Sequence, residues 1–333
     1  MRLQCSIARR RGRKLGYAPP GHHLWDPWFI KGKDGTWHMF HLMASSEGDP
    51  DARHDKAFIG HSVSRDLRLW QQLPPALVPG VQGSWDDLAL WTGSCFRHND
   101  GSHYLFYTGR QAGRDRLLQR IGVAKATDST LTTWEKHLTP VMSASSRYDT
   151  ASTMNPLGKV PAWRDPFVFV DPISGQVYAA ITAREYCPSR VYNGCIALAR
   201  ATSADLTQWE LLAPLLSPKR YDEMEVPQLV AHDGLWYLFF LTAAELYEPA
   251  WAAANGRSHG LHCYVASDLM GPYRPVNKGT GAVLNDPLTL GLRLLEPLGD
   301  GYLTLGWTPE PSVALGRPHM IVLNGDEVTA RPL

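Results

Sequence analysis

The sequence lacks an excess of charge of either sign. It carries 33 lysine and arginine residues against 32 aspartate and glutamate residues, which gives a formal net charge of +1. A protein that binds nucleic acid needs concentrated positive charge to neutralise phosphates. The even balance therefore argues against nucleic acid as the main partner.

Long hydrophobic runs are also absent. The longest apolar stretch extends from Leu235 to Ala244, well short of the roughly 18 residues that span a bilayer. A basic run at residues 9–14 leads into Leu15-Gly16-Tyr17 rather than into the apolar core of a secretion signal. We therefore expect no membrane partner and a cytoplasmic protein.

Cysteine is scarce and irregularly spaced. The chain has five cysteines, an odd number, with no C-x-x-C pair, which argues against a disulfide framework or a zinc knuckle. A bridge between Cys187 and Cys195 remains an alternative to buried free thiols. The sequence predicts neither a metal site nor a cofactor.

What the chain does contain is a repeated unit. The first copy opens at Trp25-Asp26-Pro27, turns at Asp34-Gly35 and ends in an Asp-Leu-x-x-Trp motif at residues 66–70. The third opens at Trp163-Arg164-Asp165-Pro166 and ends in the same motif. The distance is 44 residues both from Asp26 to Trp70 and from Asp165 to Trp209. Five copies can be traced, the fifth being a weaker one at residues 292–307.

Each copy reads as several short strands joined by Gly-containing hairpin turns, which is the pattern of a four-stranded blade. Five copies over 333 residues average about 67 residues each, a suitable length for a blade with extended loops. The sequence therefore predicts an all-β fold, a five-bladed β-propeller with a central funnel. We expect one domain over residues 21–333, preceded by an extension at residues 1–20 that is poorly ordered or strapped to the propeller.

Acidic residues head three of the copies, and we expect all three to occupy the same position in the repeat. Asp26, Asp165 and Glu225 are each followed by proline directly or after one residue, and the first strands of propeller blades converge on the central channel. Neighbouring buried carboxylates raise one another's pKa and need compensating donors, for which Arg164 is a candidate. Glycoside hydrolysis requires such a set, with one carboxylate as nucleophile or base and one carboxyl group as acid. Glu223, two residues before Glu225, is an alternative for the acid.

These motifs resemble the five-bladed propeller glycosidases, specifically the β-fructosidases of glycoside hydrolase families 32 and 68. The resemblance is closest to family 32, in a divergent form without the family's β-sandwich tail. It implies that Asp26 is the nucleophile, that Asp165 of the Arg-Asp-Pro motif stabilises the transition state, and that Glu225 of the Glu-x-Pro motif is the general acid/base. These three are the predicted catalytic residues.

The same resemblance suggests residues that bind the sugar. Arg164 is expected to hold furanose hydroxyls, and the segment Trp91-Thr92-Gly93-Ser94 is similar to a substrate-lining Phe-Ser-Gly-Ser of family 32. Tryptophans beside the acids could supply apolar walls for sugar faces. The predicted substrate-binding residues are Arg164, Trp25, Trp28, Trp91, Ser94, Trp163 and Glu223.

The resemblance thus implies a retaining glycoside hydrolase that cleaves β-fructofuranosyl linkages in sucrose or short fructans, with fructosyl transfer as a variant. Its partner would be a small carbohydrate. Two alternatives remain open. One is an arabinofuranosidase or another furanosidase on the same propeller, against which Arg164 argues. The other is a non-catalytic carbohydrate-binding propeller.

Overall fold

The computed structural model describes residues 16–309 and 312–333. Five antiparallel sheets follow one another along the chain, each formed by consecutive strands, and they pack around a central axis. This arrangement confirms the predicted five-bladed β-propeller. The basic run at residues 9–14 and Cys5 lie outside the described residues.

Blades 1 to 3 each have four strands in sequential order. Blade 1 consists of β1 (His22–Lys31), β2 (Trp37–Ser45), β3 (Phe58–Ser64) and β4 (Gln71–Leu77). Blade 2 consists of β5 (Ala89–Arg97), β6 (His103–Arg110), β7 (Gln119–Ala126) and β8 (Trp134–Lys136). Blade 3 consists of β9 (Trp163–Val170), β10 (Val177–Arg184), β11 (Gly194–Ala201) and β12 (Trp209–Leu211).

Blades 4 and 5 each carry one additional short strand. Blade 4 consists of β13 (Glu225–His232), β14 (Leu235–Thr242), β15 (Gly260–Ala266), β16 (Arg274–Pro275) and β17 (Ala282–Asn285). Blade 5 consists of β18 (Leu290–Leu298), β19 (Gly301–Thr308), β20 (Ala314–Leu315), β21 (His319–Asn324) and β22 (Glu327–Pro332).

Over residues 16–309 and 312–333, helical structure is confined to connections. It consists of two 3₁₀ helices, Pro50–Asp55 and Ala244–Leu246, and one α-helix, α1 (Pro249–Asn255). Within the described part of the chain, no helix has the length and apolar character needed to cross a bilayer.

The Asp-Leu-x-x-Trp motif builds the turn between the third and fourth strands of a blade. In blade 3, the Asp205 carboxylate accepts a hydrogen bond from the backbone N–H of Thr207, and the indole of Trp209 donates to the carbonyl oxygen of Leu206 over 2.8 Å. Leu206 has a left-handed backbone, with φ of 61°. Side-chain bonds fix this unusual conformation. The motif recurs in blade 1, where Leu67 has the same left-handed backbone, with φ of 58°.

Hydrophobic cores lie between neighbouring blades. Within the described residues, five buried clusters are found, and each joins adjacent blades. The cluster between blades 1 and 2 also includes Trp307 of blade 5. The smallest joins blade 1 to blade 5 through Leu24, Met39 and Leu315. The backbone N–H of Leu24 also donates to the carbonyl oxygen of Val313 over 3.0 Å. Packing and this bond close the ring where the first and last blades meet.

The segment before β1 lies along the same junction. The carbonyl oxygen of Tyr17 accepts a hydrogen bond from the backbone N–H of Leu315 in blade 5. The hydroxyl of Tyr17 lies 3.0 Å from the Ser62 Oγ in blade 1. Tyr17 therefore bridges the two blades that close the ring.

The described cysteines are not bridged. Cys187 and Cys195 both carry free thiols, Cys195 being fully buried at the centre of blade 3. The hairpin disulfide that the sequence left open is therefore not formed.

Three histidines lie in the interior of blades 1 and 4. His41, His61 and His262 are each at most 1% exposed. Burial lowers the pKa of His41 and of His262 to about 4. Burial, reinforced by repulsion from His38 and His41, lowers the pKa of His61 to about 3. All three are therefore neutral in the folded protein at neutral pH.

We expect the free energy of unfolding to decrease as the pH falls below about 6.5, where histidines of the unfolded chain bind protons that the folded protein excludes. Each of the three contributes a slope of about 1.4 kcal/mol per pH unit down to its lowered pKa. Urea unfolding at pH 7, 6 and 5 measures this slope. His61→Phe should make it shallower, whereas His137→Phe, at an exposed position, should not. Equal slopes for His61→Phe and wild type would contradict the assignment.

Candidate active site

A β-bulge interrupts the innermost strand of every blade at the same place. In β1, Trp25 pairs with Leu42 and Trp28 with Phe40, so Asp26 and Pro27 together face one residue of β2. The same shift occurs in β5, β9, β13 and β18. Bulges redirect side chains and are frequent beside active sites. The five bulges therefore define equivalent positions around the central channel.

The residue immediately before each bulge lines a central cavity of about 520 Å³, a volume typical of small-molecule sites. These residues are Trp25, Trp91, Arg164, Glu225 and Leu290.

The first bulge residue adopts a left-handed backbone in four blades. It is Asp26 (φ 45°), Asp165 (φ 55°), Val226 (φ 54°) and Gly291 (φ 59°). The expectation that the three acids share one repeat position is therefore wrong for Glu225. Pro227 follows Val226 as Pro27 follows Asp26, so Glu225 lies one residue earlier and is equivalent to Arg164. The structure nevertheless brings Asp26, Asp165 and Glu225 to the same cavity.

Asp26 lies at the floor of this cavity. Its Oδ2 accepts a hydrogen bond of 2.7 Å from the hydroxyl of Thr92, the residue at the equivalent position of blade 2. Burial raises the pKa of Asp26, and the Glu225 carboxylate adds to the increase. The Thr92 hydroxyl, the charge of Arg293 and the indole N–H of Trp307 oppose it. Few hydrogen-bond donors therefore stabilise the charged form of the Asp26 carboxylate.

Asp165 is almost fully buried beside it. Its Oδ2 accepts from the Thr182 hydroxyl at 3.0 Å and from the backbone N–H of Val226 at 3.1 Å, which links blade 3 to the blade 4 bulge. Burial raises the pKa of Asp165 to about 6, with repulsion from Asp26 added and attraction to Arg164 opposing. Asp165 is held rigidly within the site.

Arg164 joins the acids of blades 3 and 4. Its Nη2 donates to Glu225 Oε1 over 2.7 Å and to Glu223 Oε1 over 2.9 Å, while its Nε lies 3.7 Å from Asp165 Oδ2. The guanidinium is buried and engaged by these three carboxylates. Its direct role is therefore to orient acids, and any contact with sugar hydroxyls would be made from within this network.

Glu223 and Glu225 have opposite electrostatic environments. Burial alone would raise the pKa of Glu223, but Arg164, Arg184 and Lys159 hold it below its usual range. Burial raises the pKa of Glu225, the Glu223 carboxylate raises it further, and Arg164 opposes this. The Glu225 side chain is also 39% exposed, against 7% for Glu223. Glu225 therefore has the properties of a proton donor that faces the cavity, whereas Glu223 is a fixed anion.

Two of the predicted tryptophans line the cavity. Trp25 and Trp91 form part of its wall, with the ring of His54 between them at 5.8 Å and 6.1 Å from the respective ring centroids. The Trp91 indole donates to the His54 carbonyl oxygen over 2.7 Å. Trp25 is almost fully buried, whereas Trp91 is partly exposed.

Trp28, Ser94 and Trp163 do not reach the cavity lining. Trp28, three residues past the position of Trp25, is buried in the core between blades 1 and 2. Ser94 Oγ accepts from the backbone N–H of Val168, and the Trp163 ring packs 4.9 Å from that of Tyr148. The substrate-binding role expected of these three is corrected to a structural one, because each faces a blade interface.

Three arginines and a histidine, most of them outside the repeat, form a wall of the cavity that the sequence analysis missed. Arg53, His54, Arg110 and Arg116 line the cavity around Asp55. Arg110 Nη1 donates to Asp55 Oδ1 over 2.7 Å, Arg116 pairs with the same carboxylate, and the Arg110 guanidinium covers Trp91 at 4.3 Å. Most of these residues come from the Pro50–Asp55 helix and a turn before β7, which belong to no repeated motif and gave no signal.

A propeller whose innermost strands bring Asp26, Asp165 and Glu225 together around Arg164 at the central cavity has the arrangement of a five-bladed glycosidase. Comparison with known families agrees. The model of the glycosyl hydrolases family 32 N-terminal domain matches residues 17–235. The chain belongs to this family and is a glycoside hydrolase. The model described as levansucrase/invertase, of family 68, also matches, over residues 182–311.

Curated relatives cover most of the chain. An extracellular sucrase of Zymomonas mobilis is 26% identical over 306 residues, which is 79% of this chain and 71% of the relative. A levansucrase of Rahnella aquatilis is 23% identical over 356 residues, 88% of this chain and 83% of the relative.

Solved structures show the same architecture. An inulosucrase from Halalkalicoccus jeotgali bound to kestose superposes with a TM-score of 0.77 at 25% identity, covering 96% of this chain and 90% of the other. The catalytic domain of a β-fructofuranosidase from Microbacterium saccharophilum shares the fold with a TM-score of 0.73 at 20% identity, covering 94% and 81%.

These relatives correct the expected location. The sucrases of two Zymomonas mobilis strains are extracellular by name and point to secretion. The expectation of a cytoplasmic protein, drawn from the lack of a recognisable signal peptide, is therefore wrong.

Proposed function

We propose that this enzyme cleaves the β-fructofuranosyl linkage of sucrose or a short fructan by double displacement. Asp26 is the nucleophile, Glu225 the general acid/base and Asp165 the stabiliser of the transition state. The observation that carries this proposal is the meeting of these three acids around Arg164 at one cavity. The names of the relatives, among them sucrase, levansucrase and inulosucrase, support the substrate class.

In the first step the Asp26 carboxylate attacks the anomeric carbon of the fructosyl unit. The bond from that carbon to the glycosidic oxygen breaks, and Glu225 gives its proton to the departing oxygen. The raised pKa of Glu225 favours the protonated form that this step requires. Asp165 would stabilise the positive charge that develops on the ring.

In the second step the Glu225 carboxylate removes a proton from water, whose oxygen attacks the same carbon and displaces Asp26. An acceptor sugar hydroxyl in place of water would give fructosyl transfer. Trp25 and Trp91 would flank the sugar through their apolar faces.

Incubation of the enzyme with sucrose, inulin, levan and an aryl arabinofuranoside tests the substrate class. Fructose release from sucrose is the expected result, and a ratio of free glucose to free fructose above one would report transfer. Release of arabinose without fructose would overturn the proposal.

Addition of methanol to the sucrose reaction tests the mechanism. A retaining double displacement transfers the fructosyl unit to methanol as methyl β-fructofuranoside, because two inversions restore the configuration. NMR identifies the anomer of this stable product. Formation of the α-anomer would contradict a role for Asp26 as nucleophile.

A further inference from the structure

Among the residues that the structure describes, blade 5 places no acid in the cavity lining, but it contributes a buried arginine near the acids of the site. Arg293 lies two residues after Gly291 in β18 and is 4% exposed. Its equivalents in the other blades are neutral, namely Trp28, Ser94, Phe167 and Gln228. A cation therefore occurs once among these five equivalent positions.

One nitrogen of Arg293 holds the bulge that follows Glu225. Nη1 donates to the carbonyl oxygen of Pro227 over 2.9 Å and lies 3.5 Å from that of Val226. The backbone N–H of Val226 in turn donates to Asp165. Arg293 thus contacts the segment that sets the position of Glu225 relative to Asp165.

The remaining nitrogens of Arg293 make no hydrogen bond within the described residues. Nε and Nη2 are both buried. Burial lowers the pKa of Arg293 to about 10, and the charges of Asp165 and Asp26 oppose that decrease. Burying a guanidinium whose N–H groups are not all hydrogen-bonded costs folding free energy. The negative charges of Asp165 and Asp26 offset that cost.

The groups around Asp26 come from five other strands. Thr92 on β5 donates a hydrogen bond, and the indole N–H of Trp307 on β19 lowers the pKa of Asp26 slightly without forming a hydrogen bond of normal geometry. Glu225 on β13 and Asp165 on β9 are both acidic. Arg293 on β18 is the cation that acts on Asp26, whereas the Arg164 guanidinium on β9 is engaged by other carboxylates. Without Arg293, Asp26 would lose the positive charge that offsets its repulsion from Glu225.

We propose that Arg293 is a positioning residue of the active site, which keeps Asp26 and Asp165 ionised together and fixes the bulge that carries Glu225. This inference rests on the roles proposed above for the three acids. Arg293 lies outside the cavity lining, so it acts through the carboxylates rather than on the sugar. A nucleophile must be ionised to attack, and an opposite charge nearby favours the ionised form.

The pH dependence of kcat/KM for sucrose hydrolysis tests the proposal. Its acidic limb reports the group of the free enzyme that must lose a proton, here Asp26. We expect Arg293→Gln and Arg293→Met to shift this limb upward by about one pH unit or more. A shift of one unit corresponds to roughly a tenfold loss of kcat/KM on the acidic side. Arg293→Lys, which keeps a cation, should leave the limb close to its wild-type position while lowering kcat.

Trp28→Phe is the matched control, since Trp28 occupies the equivalent position in blade 1 and is uncharged. It should leave the acidic limb unmoved. Circular dichroism and melting temperature identify the variants that fold. If neither neutral variant folds, Arg293→Lys carries the test, because the proposal requires it to fold, to keep the limb and to lose kcat.

An unmoved limb in a folded neutral variant would overturn the inference, as would equal shifts in Arg293→Lys and Arg293→Gln. These outcomes differ from failure of the proposed function itself. If Asp26→Asn or Glu225→Gln retained wild-type activity, the assigned roles of the acids would fail whatever Arg293 did.

Discussion

Asp26→Asn is expected to lower kcat for fructose release from sucrose by roughly 10⁴-fold or more, the scale on which removal of a nucleophile acts in other covalent enzymes. The amide keeps the shape of the carboxylate and can still accept from Thr92, but it cannot form the fructosyl ester. Initial rates with sucrose, followed by release of glucose, measure the loss.

The same substitution has two opposing effects on the fold. It removes a carboxylate whose charged form burial and Glu225 disfavour, but it also removes one of the two negative charges that compensate the buried Arg293. We expect a melting temperature close to that of wild type. Asp233→Asn, at a turn where the side chain is 86% exposed, is the control for an ordinary change of charge. Wild-type kcat in a folded Asp26→Asn protein would refute the assignment.

The blades and the acids could be predicted from sequence because both depend on local chemistry. Asp205, Leu206 and Trp209 build a turn from their own side chains, so the same residues must recur wherever that turn does. The Asp-Pro pairs at Asp26 and Asp165 mark two of the bulges. In each pair the aspartate has a left-handed backbone, and the ring of the following proline fixes that residue's own φ angle. Such signals are contained in a few adjacent residues.

Register and interior contacts could not be predicted in the same way. In blade 4 the proline of Glu225-Val226-Pro227, rather than the acid, marks the bulge. Only the pairing of the strands reveals that Glu225 is equivalent to Arg164. A bulge also changes the face that later residues present, which directs Trp28 into the core. Arg293 was missed because its partners, Pro227 and Asp165, are 66 and 128 residues away in the chain.

The two glutamates of blade 4 provide the second large effect. We expect Glu225→Gln to lower kcat/KM for sucrose by roughly 10²- to 10⁴-fold, the usual contribution of general acid-base catalysis. The sugar alkoxide that leaves from sucrose needs a proton, which glutamine cannot give. With an aryl β-fructofuranoside the leaving group is already a weak base, so the loss of kcat/KM should be under about tenfold.

A second measurement on Glu225→Gln isolates the base step. Azide is an anion that needs no deprotonation before it attacks the fructosyl-enzyme. Added azide should therefore increase turnover of the aryl substrate by Glu225→Gln and yield a fructosyl azide. The wild-type enzyme should respond little, since its own base already activates water.

Glu223→Gln should behave differently, because Glu223 is an anion held by Arg164, Arg184 and Lys159. Its loss leaves two buried guanidinium groups short of charge compensation, so we expect a lower melting temperature and a loss of kcat/KM that is similar for sucrose and for the aryl substrate. Azide should not restore activity. Glu210→Gln, on the outer strand of blade 3 and half exposed, should change neither property. The opposite result would be a loss that depends on the leaving group, and a rescue by azide, in Glu223→Gln rather than in Glu225→Gln. The acid/base would then be Glu223. The exposure and charge environment of Glu225 would have to serve substrate binding instead.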